Sequence, residues 1–184
     1  MTKTIGIFVG SLRKGSYSRI IAQEMAKQFP AGYEAKFIEI GDLPLYNQDF
    51  DDLNEVPAQY PKFRDEVKAI DAALFVTPEY NRSVPAVLKN ALDVASRPYG
   101  ANVWDGKPAA VVSVSIGAIS GFGANQHLRQ ALVFLNMPTL QQPEAYIGNV
   151  TNFIDEDKGE VNNQGTKDFL KSIDEAFVKL IDRY

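Results

Sequence analysis

Residues 4–18, TIGIFVGSLRKGSYS, decide how the rest of the chain is read. Thr4–Val9 is a short apolar run of the kind that forms a buried strand, and Gly10 closes it. The next residues, 10–18, are mostly Gly, Ser, Arg and Lys. Beyond them the pattern turns helical over 17–29, with Ile21, Met25 and Phe29 at i, i+4 and i+8, until Pro30 and Gly32 stop it. A strand, a donor-rich loop and a helix form the opening unit of a parallel α/β fold.

The same alternation continues along the chain. EAKFIEI, 34–40, reads as a second strand closed by Gly41. The stretch 41–57 is a loop rich in turn formers. Residues 57–70 place Tyr60, Phe63, Val67 and Ile70 on one helical face. AALFVT, 72–77, lacks polar alternation, as a strand covered on both faces should. A helix over 84–96 aligns Val84, Val87, Leu88, Ala91, Leu92 and Ala95. PAAVVSVS, 108–115, is a fourth strand, 124–136 a helix, and a short fifth strand follows Pro138. The C-terminal helix turns Phe169, Ile173, Phe177 and Leu180 inward, after a solvated loop over 155–165. This order predicts one α/β domain over 1–184, a doubly wound parallel sheet with helices on both faces.

Composition narrows the chemistry. The 184 residues carry a net charge of -4 and no basic stripe, which argues against nucleic acid as a partner. No apolar run is long enough to cross a bilayer, and no secretion signal is visible, so a cytoplasmic location is expected and no membrane partner. There are no cysteines and one histidine, His127, within a helical pattern that suits a surface or interface position. Thiol, metal and Ser-His-Asp chemistry therefore have little to draw on, and no metal site or catalytic side chain is expected. If the chain is an enzyme, a bound cofactor performs the difficult step.

In open parallel sheets ligands bind beyond the C-terminal strand ends. Three loops meet there: GSLRKGSYS after the first strand, PEYNRS after the third, and SIGAISGFG after the fourth. In the first, Gly10 and Gly15 let backbone N–H groups converge, and Ser11, Ser16 and Ser18 add hydroxyls. Arg13 adds a charged fork, and the helix starting near Tyr17 adds its positive end. Ser16 stands where a P-loop needs lysine, and G-x-G-x-x-G is missing, so a single terminal phosphate suits the loop better than a triphosphate or dinucleotide. In the second loop, Pro78 and Pro85 stiffen a segment in which Tyr80 can cover a flat ring and Asn81 can meet its polar edge. Ser115 and Gly117 would let the third loop approach the same ring. Flavin mononucleotide has the matching chemistry. A plainer reading makes Glu79 and Asn81 helix caps and the loops solvated turns.

GSLRKGSYS together with TPEYNRSVPAVLKNALDVASRP resembles the NADPH-dependent FMN reductase family, in its bacterial quinone, chromate and azo reductase branch. DLPLYNQDF, GKPAAVVSVSIG, HLRQALVFLN and QPEAYIG extend the likeness over nearly the whole chain. The resemblance implies a flavodoxin-like fold with strand order 2-1-3-4-5, bound FMN, and a homodimer or homotetramer with the flavin near a subunit interface. It implies that Ser11, Arg13, Ser16, Tyr17 and Ser18 hold the phosphate. It also implies that Pro78, Glu79, Tyr80 and Asn81 line the isoalloxazine, with Arg82 beside it and Ser115 and Gly117 approaching from the third loop.

The implied reaction takes hydride from NADPH or NADH and passes electrons to a quinone, azo compound, free flavin or metal oxyanion such as chromate. A flavodoxin-type carrier without substrate turnover is the alternative, disfavoured by the mild net charge. Lys14, Arg82 and Arg97 are candidates for a 2′-phosphate contact. Four positions depart from the relatives' pattern. Ser18 replaces a frequent Asn, Arg82 a neutral residue, Gly123 an Arg and Gln126 a Tyr.

Overall fold

The computed structural model describes residues 2–184. Five parallel strands form one sheet in the order β2-β1-β3-β4-β5. They are β1 (Lys3–Val9), β2 (Tyr33–Phe37), β3 (Ala72–Thr77), β4 (Ala109–Val114) and β5 (Ala145–Ile147). Helix α1 (Tyr17–Ala26) follows β1. The short α2 (Gln48–Asp52) and α3 (Gln59–Lys68) follow β2, α4 (Ala86–Ala95) follows β3, and α5 (Phe122–Phe134) follows β4. A small antiparallel hairpin, β6 (Ile154–Asp155) and β7 (Glu160–Val161), precedes α6 (Gln164–Ile181). The flavodoxin-like order expected from the sequence is the order observed.

Every residue of β3 and β4 is buried, which is why their sequences show no polar alternation. Successive side chains enter opposite layers. Ile5, Ile7, Val9, Leu74, Val76 and Val112 join α1 and α6. Phe8, Phe75 and Val111 join α3, α4 and α5 around Trp104. Trp104 is fully buried, and its indole N–H donates to the Leu92 carbonyl at 3.2 Å. The Phe8 ring lies 5.2 Å from both Phe75 and Trp104.

Several boundaries differ from the sequence reading. Helix α1 ends at Ala26, before Pro30 restricts Phe29, whose ring still packs on the core. After Pro138 only Thr139 bridges, to Ala109. Pro143 has no N–H for a ladder, and the regular fifth strand starts at Ala145. The inward face of α6 is Leu170, Ile173, Phe177 and Ile181, so its phase is shifted and Phe169 lies toward solvent. Asp174 sits on that inward face, 1% exposed, with neither carboxylate oxygen hydrogen-bonded. Burial pushes its carboxyl up to about 8. The expected solvated loop over 155–165 contains a strand pair whose Val161 is buried. Within the expected loop after β2, Asn47 caps α2, and Arg64 grips Asp51 with two bonds of 3.0 and 2.9 Å.

Candidate flavin site

The register of the sheet places the three loops side by side. Val9 pairs with Val76, and Thr77 with Ser113, so β1, β3 and β4 end together. The Gly10 N–H donates to the Val76 carbonyl at 2.9 Å. A Cβ on Gly10 would stand 2.9 Å from Thr77 Oγ1 and 3.2 Å from Pro78 Cδ. The first two loops can approach this closely because residue 10 has no side chain.

Gly15, at φ +68°, turns the first loop into α1. Ser16 caps the helix, accepting from Arg19 N at 3.2 Å, and keeps its own hydroxyl proton to donate. Ser16 and Ser18 are both buried. The Arg13 guanidinium donates to the Gly15 carbonyl at 2.7 Å and lies 4.9 Å from the centre of the Tyr17 ring. Tyr17 donates its hydroxyl to Glu156 on the β6–β7 turn at 2.7 Å, and that carboxylate raises the phenol's pKa. The loop thus gathers hydroxyls, one guanidinium and the positive end of a helix.

The second loop is a two-residue hairpin. Tyr80 and Ser83 exchange backbone hydrogen bonds of 3.1 and 2.9 Å, with Asn81 at φ +50° and Arg82 at φ +65° between them. Two left-handed residues make a tight turn of the primed type. The Glu79 carboxylate is paired with Arg82 at 3.0 Å and also accepts from the backbone N–H of Ala124 at 3.1 Å. Ser83 Oγ lies 3.0 Å from Nδ1 of the exposed His127. In the third loop Ser115 Oγ accepts from Gly117 N at 3.0 Å.

A cavity of about 690 Å³ joins the three loops. Of the residues singled out in the sequence, Ser11, Arg13, Ser16, Tyr17, Ser18, Pro78, Glu79, Tyr80 and Ser115 line it. Asn81 and Arg82 do not, because they form the tip of the hairpin; Gly117 does not, because its N–H is turned onto Ser115. Lys14 and Arg97 are also absent from its wall, and Arg97 is spent on Ser96. Glu79 and Asn81 do not cap α4, whose N-terminal residue Pro85 has no side-chain cap. Val114, Ile116 and Thr151 complete the lining. Ile116 could have been found as the residue after Ser115. Thr151 had no signal, since it follows a strand whose position the sequence left loose.

On the other side of the first loop lies a cavity of about 610 Å³. Its charged groups are already engaged, Arg19 with Glu39 at 2.7 Å and Lys158 with Asp155 at 3.4 Å. Among the described residues no cluster of metal-ligating side chains occurs, and no helix is long and apolar enough to cross a membrane.

The 690 Å³ cavity fits FMN by the chemistry of its donors. Hydroxyls, a guanidinium and a helix N-terminus at one end suit a phosphate, and Pro78, Tyr80, Val114 and Ile116 at the other suit a flat ring. Comparison with known proteins points to a flavoenzyme. The chain is 52% identical to a quinone reductase of Pseudomonas putida over 97% of its own length and 94% of that protein. It is 41% identical to a 2-hydroxy-1,4-benzoquinone reductase of a Burkholderia species, covering 94% and 92% of the two chains. The solved flavoenzyme NAD(P)H:(acceptor) oxidoreductase of Paracoccus denitrificans superposes with a TM-score of 0.89 at 38% identity, covering 99% and 98%. Residues 3–152 match the NADPH-dependent FMN reductase family, and the chain belongs to that family of NAD(P)H-oxidising flavoenzymes.

Proposed function

We propose that the cavity between the β1, β3 and β4 loops holds FMN and that the enzyme passes electrons from NAD(P)H to a quinone. The observation that carries this reading is the one cavity that unites a phosphate-type loop with an apolar, proline-stiffened ring wall. When bound, FMN supplies the two-electron chemistry, taking hydride from the nicotinamide and returning electrons to the acceptor.

The side chains bind and orient. Ser11, Ser16 and Ser18 would donate to the phosphate, with Arg13 adding charge. Tyr17, fixed by Glu156, backs the arginine. Pro78, Tyr80 and Ile116 would cover the ring and exclude water from it. No side chain need act as acid or base, and His127 is engaged with Ser83 outside the cavity wall.

The quinone reductases among the relatives support a quinone as acceptor. Azo compounds, free flavin and chromate are further candidates for the same open face. The donor is NADPH or NADH, and Arg82, exposed at the hairpin tip and paired with Glu79, is a candidate to meet a donor phosphate. Self-association as a homodimer or homotetramer is supported by large apolar side chains exposed in the cavity wall and in the third loop. Tyr80 and Ile116 line the cavity, and Ile119 and Phe122 follow in the third loop and at the start of α5. Use of NAD(P)H supports a cytoplasmic location.

Purified protein mixed with FMN and then freed of unbound flavin on a desalting column should remain yellow, bleach anaerobically on addition of NADPH, and recover its colour with a quinone. A protein that takes up no FMN would overturn the assignment. Light scattering checks the oligomer, with a monomer at micromolar concentration as the contrary result.

A further inference from the structure

Helix α5 begins without a cap of its own. Its N-cap residue, Gly121, is left-handed at φ +72° and has no side chain to accept from the first turn. A helix start leaves backbone N–H groups that need acceptors, and the usual one is a side-chain oxygen at the N-cap. Here the acceptor comes from a different element. Oε2 of Glu79, in the β3–α4 loop, takes the N–H of Ala124 at 3.1 Å, the position an N-cap side chain would serve. Oε1 takes Arg82 at 3.0 Å, and the Glu79 side chain is only 11% exposed. Negative charge also suits the positive end of α5.

Gly123 makes the contact possible. A Cβ there would stand 2.7 Å from the Arg82 carbonyl oxygen and 2.9 Å from Glu79 Oε2. The first of these is backbone, so the hairpin itself would have to move. One turn further along α5, His127 meets Ser83 at 3.0 Å and closes a second attachment. The hairpin is thus held at both ends of its turn, and the same segment places Pro78 and Tyr80 in the cavity wall.

We propose that Glu79 and Gly123 form a matched latch that fixes the β3–α4 hairpin to the start of α5. Glu79 is then a positioning residue for the flavin ring, acting through its carboxylate on α5. The ring-positioning part rests on the flavin assignment above; the latch itself does not.

Two measurements separate these parts. Amide hydrogen exchange at Ala124, in protein without added FMN, reads the latch alone. The wild type should protect this amide and Glu79→Ala should expose it, whereas Glu79→Gln, which keeps a neutral acceptor, should protect it. Equal exchange in wild type and Glu79→Ala would overturn the latch.

The second measurement uses FMN-loaded protein. Glu79→Ala should still take up FMN, because the phosphate loop is untouched. The visible circular dichroism and midpoint potential of the flavin should change, and kcat should fall about tenfold with a smaller change in KM for NADPH. Glu79→Gln should restore most of this. Gly123→Ala should reproduce Glu79→Ala, and the double variant should be no worse than either single, as expected for one shared contact. Additive losses, or a loss of thermal stability with flavin spectrum, potential and kcat unchanged, would reject the positioning role. A wild type that takes up no FMN would reject that role together with the flavin assignment, and the exchange result would still judge the latch.

Discussion

The two layers of the molecule carry the two halves of the site in different ways. On the α1 and α6 side, the phosphate-type loop is built from neighbours in sequence: Gly15 turns it, Ser16 caps α1, and Arg13 folds back on Gly15 and Tyr17. On the α4 and α5 side, the ring wall depends on residues far apart, with Glu79 reaching Ala124 and Ser83 reaching His127. The polar bookkeeping differs as well. The aromatic layer satisfies its buried groups, such as Trp104 on Leu92 and Arg64 on Asp51, whereas the α6 layer leaves Asp174 without a partner. The donor-rich loop is assembled by local contacts, whereas the hairpin of the β3–α4 loop is tied down by contacts across the fold.

The largest expected effect tests the layer that tolerates an orphaned acid. Unfolded, the Asp174 carboxyl titrates near its ordinary value of 3.8; folded, it is raised to about 8. The folded protein therefore keeps a proton that the unfolded chain releases. This stabilisation is complete below about pH 4 and is lost as pH rises through about 8. Between pH 5 and pH 8 the loss is on the order of a few kcal/mol, a fall in Tm of about 5–10 °C for a chain of this size. Asp174→Asn should flatten that part of the Tm–pH curve, and a curve that stays parallel to the wild type's would show that another group is responsible.

Gly10 is where the two halves touch. Gly10→Val should push the β1 loop away from Thr77 and Pro78 and weaken FMN binding by about 100-fold or more, read by quenching of flavin fluorescence. Far-UV circular dichroism shows whether the sheet survives. Retention of both sheet and affinity would mean that the two loops need not meet.

Arg13→Ala and Ser18→Val probe the cradle alone. Each should weaken FMN by about 10-fold, the worth of a hydrogen bond to a charged group, and leave riboflavin, which lacks the phosphate, unchanged. An equal loss for both ligands would move these residues from the phosphate to the ring.

The smallest effect belongs to the hairpin tip. Asn81 lies at φ +50°, so Asn81→Gly should be neutral and Asn81→Val should cost about 1–2 kcal/mol, seen as a drop of a few degrees in Tm. Indifference to valine would show that the hairpin relaxes and that its attachments to α5 do not hold it.

Much of this was legible in the chain. Apolar runs at 4–9, 72–77 and 108–115, each ending in a loop of Gly, Ser, Pro and Asn, determined a parallel sheet with those loops together at one edge. Spacing within residues 10–18 was enough to gather hydroxyls, a guanidinium and a helix start in one loop, because they are neighbours in sequence. What only the tertiary structure decided depends on separations that periodicity does not encode. The inward face of α6 is one case: Leu170 and Ile181 take the fully buried places expected for Phe169 and Leu180, and Asp174 joins them, because docking on the sheet, not spacing along the helix, selects which stripe is buried. Thr151 enters the cavity only once β5 is seated beside β4. Gly123 was visible as a departure from the relatives' pattern, and its reason appears only when the Arg82 carbonyl and the Glu79 carboxylate are found against it. Local chemistry is written in neighbouring residues, whereas a contact across some forty positions is fixed by the packing of whole layers.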